Sequence, residues 1–545
     1  MTPIAITLLL LTALQDPTGN SSGGVLHADQ ACYDVEHYRL ALRVDPSEKR
    51  IDGLLTMKAT VLAESASVAL DLDPALVVQG VTSAERELAW THADGRIVVE
   101  DSELCASVGE SFVVSVAYGG IPREAPRPPW EGGFTWETTA SGAPWIATSC
   151  QGEGADVWWP CKDHPSDKPE SMDLHITVPE GLVCATNGRE NTDARVTTTD
   201  GWTTSHWRVS TPIANYTVAL NIAPYVLLET ELKSVAGDTF PVKFWVLPED
   251  REKGETFLPE IVEHLEFFES TCGPYPFRAD KYGVVQTPHL GMDHQTIIAY
   301  GNDFKRDKLA DYDWLHHHEL SHEWWANLVT ARDWKDFWIH ESIGTYTQAL
   351  YLERKFGFEV ALAKLRADSK RILDRGPIAP REARSTDQMY FAQEGSSAPG
   401  IDIYMKGARV LHSLRWLVGD EAFFRILRRW AYPDPALEAT SDGSAVRFAD
   451  TEELIAIAER ESGLELDWFF EVYLRRAARP KLEVERDGVD LVLRWSAPDD
   501  LPFPMPVPLQ SGPDRFRVEM PGGTARLRGG ARSLEVDPDD WLLRR

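Results

Sequence analysis

Two histidines four positions apart, His318 and His322, enclose a glutamate in the stretch His318-Glu319-Leu320-Ser321-His322. On a helix such a pair lies roughly 40° apart around the axis, so both imidazoles can face one ion. A catalytic zinc typically takes three protein ligands and leaves its fourth position to water. Glu341, separated from His322 by 18 residues, supplies a third donor of suitable type. Glu319, next to the first ligand, can accept a proton from water activated at the ion. The spacing therefore predicts one Zn2+ per chain, held by His318, His322 and Glu341. The surrounding apolar positions (Leu315, Leu320, Trp324, Trp325, Leu328, Val329) read as one continuous helix. His316 and His317 point elsewhere on that helix and read as solvated or outer groups, not ligands.

With 545 residues the chain is too long for one core, and three domains or so are expected. A formal net charge of −30 would repel a phosphate backbone and argues against nucleic-acid binding. Short alternating strands broken by Gly, Asp, Pro and Asn run from about Tyr33 to Val226, among them His37–Leu42, Ser111–Val116 and Tyr216–Leu220. After Phe240-Pro241-Val242-Lys243 the period lengthens, and Phe257–Cys272 reads as an amphipathic helix burying Ile261, Leu265, Phe267 and Phe268. Helices then dominate to about Ala478, including the histidine helix, one from about His340 to Phe356 and one from Ala408 to Val418. Strand alternation returns beyond Pro480, as in Leu491–Trp495.

The apolar run Ile4–Leu14 is too short to span a bilayer and resembles the core of a secretory signal, followed by the polar Asp16–Gly24 linker. It lacks a preceding Lys or Arg and no clear cleavage site follows, so secretion or a periplasmic location is the expectation and a cytoplasmic one the alternative. Of six cysteines, Cys150 and Cys161 flank a loop and could pair; the others are scattered and imply no disulfide-stapled fold.

The stretch from His318 to Tyr346 resembles the gluzincin aminopeptidase family, which includes aminopeptidase N and leukotriene hydrolase. Four further segments carry the likeness in the same order: Trp158-Trp159-Pro160-Cys161-Lys162-Asp163, Gly273-Pro274-Tyr275-Pro276-Phe277, Leu290-Gly291-Met292-Asp293-His294 and Tyr404-Met405-Lys406-Gly407-Ala408. The resemblance implies a multidomain α+β fold. Residues 1–26 are a candidate signal peptide and linker, and 27–229 an all-β saddle. Residues 230–478 are a thermolysin-like, mostly helical catalytic domain, and 479–545 a small β-sandwich-like domain in place of the large helical domain of many members. The Trp334–Trp338 stretch would turn the chain between the two ligand helices.

By the same resemblance, Gly291, Met292 and Asp293 occupy the motif that holds a substrate's free α-amino group, with Asp293 one methylene shorter than the family's Glu. A carboxylate facing an ammonium still gives a charge-assisted bond. Gln151 matches a second amine-binding position, with Glu153 as a candidate helper. Tyr404 takes the place of the tyrosine that donates to the oxyanion. Gln348 stands where many relatives have a Glu that orients a ligand histidine. The implied protein is a zinc-dependent aminopeptidase acting on peptides with a free N-terminus, without nucleic acid or an integral membrane span. A thermolysin-type endopeptidase and an inactive peptide-binding module are the alternatives, and the endopeptidase would lack the amine anchor.

Overall fold

Alternation builds the first region. The computed structural model describes residues 22–390, 397–529 and 533–545; the signal-like run Ile4–Leu14 lies outside them. Strands β1 (Tyr33–Asp45), β2 (Arg50–Val61), β3 (Leu76–Ser83), β4 (Ser111–Gly120), β5 (Ser171–Pro179) and β6 (Trp202–Val209) form the body of a nine-stranded sheet in the order β6-β5-β1-β2-β4-β3. In β1 the residues Tyr33, Val35, Tyr38, Leu40, Leu42 and Val44 are buried, and their neighbours mostly are not. That is the pattern of a mostly antiparallel sheet with one face on the core. β1 and β5 pair in parallel, so the chain crosses over between them.

Tyr216–Leu220 is not a strand. Residues 215–217 make a short 3-10 turn and the whole stretch is buried. Polar groups in it and just before it bond to other segments instead of a strand ladder: Asn215 Nδ2 donates to the Lys162 carbonyl at 2.7 Å, and Tyr216 Oη donates to Asp293 at 2.9 Å.

A second, five-stranded sheet contains β7 (Val226–Lys233), β8 (Thr239–Val246), β9 (Tyr282–Gln286), β10 (Gly291–Met292) and β11 (Ile298–Tyr300), in the order β7-β8-β9-β11-β10. β7 runs across 229/230, the expected boundary between the first two domains, and pairs along its length with β8. β9 is buried at every position, as befits a strand in parallel pairs covered on both faces.

Helices follow. α1 spans Arg251–Cys272, α2 Trp314–Ser321, α3 Trp338–Phe356, α4 Phe358–Ser369 and α5 Asp402–Val418. α1, α3 and α5 thus extend further toward their N-termini than their apolar periodicity indicates. Beyond them, two three-stranded sheets hold residues 481–496 with 524–527, and 507–518 with 534–536. Among the described residues no helix is long and apolar enough to cross a membrane.

Candidate metal centre and active site

α2 starts at a capped turn, where the Asp313 side chain accepts from the His316 amide at 3.0 Å. Regular α-helix stops at Ser321, short of the run to Val329 that the apolar pattern suggests. Residues 323–328 form a wider, irregular turn, and residues 329–331 then pair as a strand with 447–449. Such wide turns cluster at functional sites. Here the turn brings the Trp325 carbonyl to 3.0 Å from His322 Nδ1, which fixes Nε2 as the outward-facing nitrogen.

Glu341 lies in the first turn of α3, which packs against α2. His318 Nε2 and His322 Nε2 are 3.4 Å apart. Glu341 Oε2 lies 3.5 Å from the first nitrogen and 3.7 Å from the second. Donors bonded to one zinc at about 2.0–2.1 Å in tetrahedral geometry must stand roughly 3.3–3.4 Å from each other. The three atoms fit that spacing closely, and they are the one such cluster among the described residues. Glu341 Oε2 is buried with no hydrogen-bond partner, as expected of an atom reserved for a metal. Burial pushes Glu341 up to about 7 and His318 down to about 4, so the histidine is neutral and free to donate its lone pair.

These groups line a cleft with a cavity volume of about 530 Å³. Glu319 lines it too, mostly buried. Burial, then the nearby Asp293 and Glu341 charges, raise its pKa well above the ordinary carboxylate range. Gly291 allows this placement: a Cβ there would come within 2.5 Å of Glu319 Oε1. Met292 pairs with Ala299 in β11 and also faces the cleft.

Asp293 is 1 % exposed. Its Oδ2 accepts from Tyr216 Oη at 2.9 Å and from Gln151 Nε2 at 3.5 Å, while its Oδ1 has no partner. Burial raises its pKa. The structure therefore joins Gln151 and Asp293, which are 142 positions apart, and adds Tyr216, which spacing did not single out. Glu153 turns instead to Arg123, 2.9 Å away, and is not among the cleft residues.

Tyr404 enters from the first turn of α5, anchored by a bond of 2.5 Å from Ser342 Oγ on α3 to the Ile403 carbonyl. Its ring stands 6.1 Å from that of His318 and 6.3 Å from that of Tyr390, and burial together with the nearby Glu341 charge pushes its hydroxyl well above the usual tyrosine range.

Two expectations need correction. Gln348 lines the cleft, but the bond found for it runs from Nε2 to the Trp314 carbonyl, 2.9 Å away, not to a ligand histidine. His316 and His317 are not solvated, because α1, β9 and α3 cover their side of α2 and both are fully buried. His316 bonds to His264 at 2.9 Å and to Tyr282 Oη at 2.8 Å. The His317 ring packs on Tyr351 and Phe268 at 4.7 and 4.8 Å.

The chain matches known proteins in both halves. Residues 34–217 match the peptidase M1 N-terminal domain, and residues 283–471 match the peptidase family M1 domain. Aminopeptidase N of Haemonchus contortus is 25% identical over 364 residues, which cover 61% of this chain and 34% of that protein. Leucine aminopeptidase 2 of Emericella nidulans is 25% identical over 401 residues, 69% of this chain and 60% of that protein. The chain thus spans between about a third and three fifths of the length of these curated relatives. A mutant of an M1 zinc metallopeptidase from Deinococcus radiodurans, solved with a Tyr-Ser-Ala substrate, shares the fold: TM-score 0.63 at 22% identity, covering 81% of this chain and 94% of that one. The two family matches follow one another in the expected order and together take in more than half of the sequence, and the chain belongs to peptidase family M1.

Proposed function

We propose that this protein is a zinc-dependent aminopeptidase that removes N-terminal residues from peptides bearing a free α-amino group. One observation carries the reading. The cleft that holds the His318–His322–Glu341 donor set also holds a buried carboxylate, Asp293, with one oxygen left without a partner. A buried, half-satisfied carboxylate is costly unless something charged completes it, and a substrate ammonium does so. The relatives named aminopeptidase point the same way.

In this reading His318, His322 and Glu341 hold the ion. Bound there, zinc supplies Lewis acidity, polarising a peptide carbonyl and lowering the pKa of water toward 7. Asp293 and Gln151 grip the substrate's amino end, and Tyr216 holds Asp293 in place. The scissile bond is thereby set one residue inside the N-terminus. Glu319 takes the proton of the attacking water and passes it to the leaving amine. Tyr404 donates a hydrogen bond to the developing oxyanion without bringing a full charge into the site. Secretion or a periplasmic location is proposed from the Ile4–Leu14 run alone. The test of the activity is product analysis by mass spectrometry on an unblocked pentapeptide. Stepwise loss of single N-terminal residues supports the reading, whereas a first cut inside the peptide gives the endopeptidase and no cut the binding module.

A further inference from the structure

The six cysteines are all buried and unbonded. Among the described residues one pair of sulfurs is in contact: Cys32 Sγ and Cys105 Sγ lie 3.8 Å apart, although the residues are 73 positions apart in sequence. Cys32 immediately precedes β1, and Cys105 lies in the turns before β4. Main-chain bonds fix the approach. The Cys32 carbonyl accepts from the amides of Leu62 (2.8 Å) and Ala63 (3.1 Å), and the Cys105 carbonyl accepts from the amide of Ser65 (3.1 Å). Both cysteines are therefore docked on the same four-residue stretch leaving β2, and their contact does not depend on a chance rotamer. Cys150 and Cys161, which sequence position suggested as partners, make no such sulfur contact with each other.

We propose that Cys32 and Cys105 form a structural disulfide, closed while the β region folds. The sulfurs must move from van der Waals contact to a bond of about 2.05 Å, which side-chain rotation supplies where the backbones are already adjacent. The bonds lost are weak: Cys32 Sγ faces the Asp29 carbonyl at 3.4 Å and the Ser67 carbonyl at 3.9 Å. The oxidant is a disulfide donor, either glutathione disulfide or a protein of the thiol–disulfide oxidoreductase class. One cysteine thiolate attacks a donor sulfur, releasing one donor thiol and leaving a mixed disulfide. The second cysteine thiolate then attacks the first cysteine's sulfur, forming the Cys32–Cys105 bond and releasing the other donor thiol. The two cysteines give up two electrons and two protons, and the donor takes them. Timing follows from burial. In the finished fold Cys32 is 2% exposed and Cys105 0%, and burial pushes the Cys105 thiol up to about 12, so a donor reaches them only before the sheet closes.

The bond would enclose β1, β2, β3 and the short strands on either side of β3, and would lock the helical turn 28–31 onto the region it already touches. Asp29 pairs there with Arg96 at 2.6 Å, and Gln30 with Asp71 at 2.5 Å. Closing so long a loop restricts the unfolded chain and raises stability.

To test this, the full chain is synthesised in a cell-free system in an oxidising glutathione buffer and, in parallel, with excess reductant. Both samples are blocked with an alkylating reagent, digested without reductant and mapped by mass spectrometry. The expected result is a Cys32–Cys105 linked peptide in the oxidised sample alone, with the other four cysteines alkylated. The oxidised protein should also melt several degrees higher, and Cys105→Ala should erase that difference. Six alkylated cysteines in the oxidised sample, or a linked peptide joining a different pair, would overturn the proposal. The mapping uses the wild-type chain, so it decides the matter even if the variant does not fold.

Discussion

The two ends of the cleft are built in opposite ways. At the metal end, His318 and His322 stand at the end of α2 and Glu341 in the first turn of α3, with 18 residues between, so the donor set is written in short, fixed spacings. At the amine end, Gln151, Tyr216 and Asp293 come from three distant segments, and a loop, a 3-10 turn and the end of a two-residue strand bring them together. Helix geometry places the two histidines and the packing of α3 on α2 brings Glu341 to them, whereas the second set depends on the whole β region being folded and docked. Damage at the metal end should therefore abolish chemistry outright, and damage at the amine end should change which substrates are accepted.

The largest effects test the metal end. His322→Ala should lose the ion and essentially all turnover, while the wild type carries about one zinc per chain by elemental analysis, as a three-ligand site requires. Glu319→Gln should keep its zinc and lose about 10²–10⁴-fold in kcat, the usual worth of a general acid–base. A variant that lost zinc instead would mean that Glu319 shapes the site and does not move protons. Tyr404→Phe comes next: steady-state kinetics should show kcat lower by roughly 10²–10³, the cost of one oxyanion donor. A change in KM alone would make Tyr404 a substrate contact.

The amine end gives smaller, substrate-dependent effects. Tyr216→Phe removes one donor from the buried Asp293 carboxylate, a bond worth about 1.5–3 kcal/mol. Its kcat/KM on free-amine substrates should fall by about 10–100-fold with zinc content unchanged, which separates the two ends experimentally. The smallest effect belongs to Gln348→Ala, which loses one bond to the Trp314 carbonyl, worth about 1 kcal/mol. Its thermal midpoint should drop slightly, and a zinc-affinity titration should match the wild type. A large loss of affinity there would restore the role as an orienter of a ligand histidine.

What could be read from the sequence follows the same division. Periodicity located the strands around His37–Leu42 and Ser111–Val116 and the helices around Glu341, because each has a buried face of regular period. It failed at Tyr216–Leu220, where burial on all sides looks like a strand but side-chain bonds to Asp293 and the Lys162 carbonyl dictate a turn. It failed again after Ser321, where Trp324 and Trp325 are apolar enough for a helix yet the backbone widens and breaks. His316 and His317 were misplaced for a related reason: polar residue type suggested a solvent face where α1 and α3 cover the helix. Tyr216 left no local signal, since its partner lies 77 positions away and only the docked fold joins them.

Paired substrates decide whether the Asp293 end reads a free amine. The measurement is kcat/KM of the wild type on a short peptide and on its N-acetylated form, repeated with Asp293→Ala. Acetylation removes the charge that the carboxylate would meet, and leaving one partner of such a pair buried alone costs on the order of 2–5 kcal/mol. The acetylated peptide should be a far poorer substrate for the wild type, and Asp293→Ala should lose its rate on the free peptide so that the preference collapses. Equal hydrolysis of the two peptides by the wild type would contradict the aminopeptidase reading and leave the endopeptidase reading in its place.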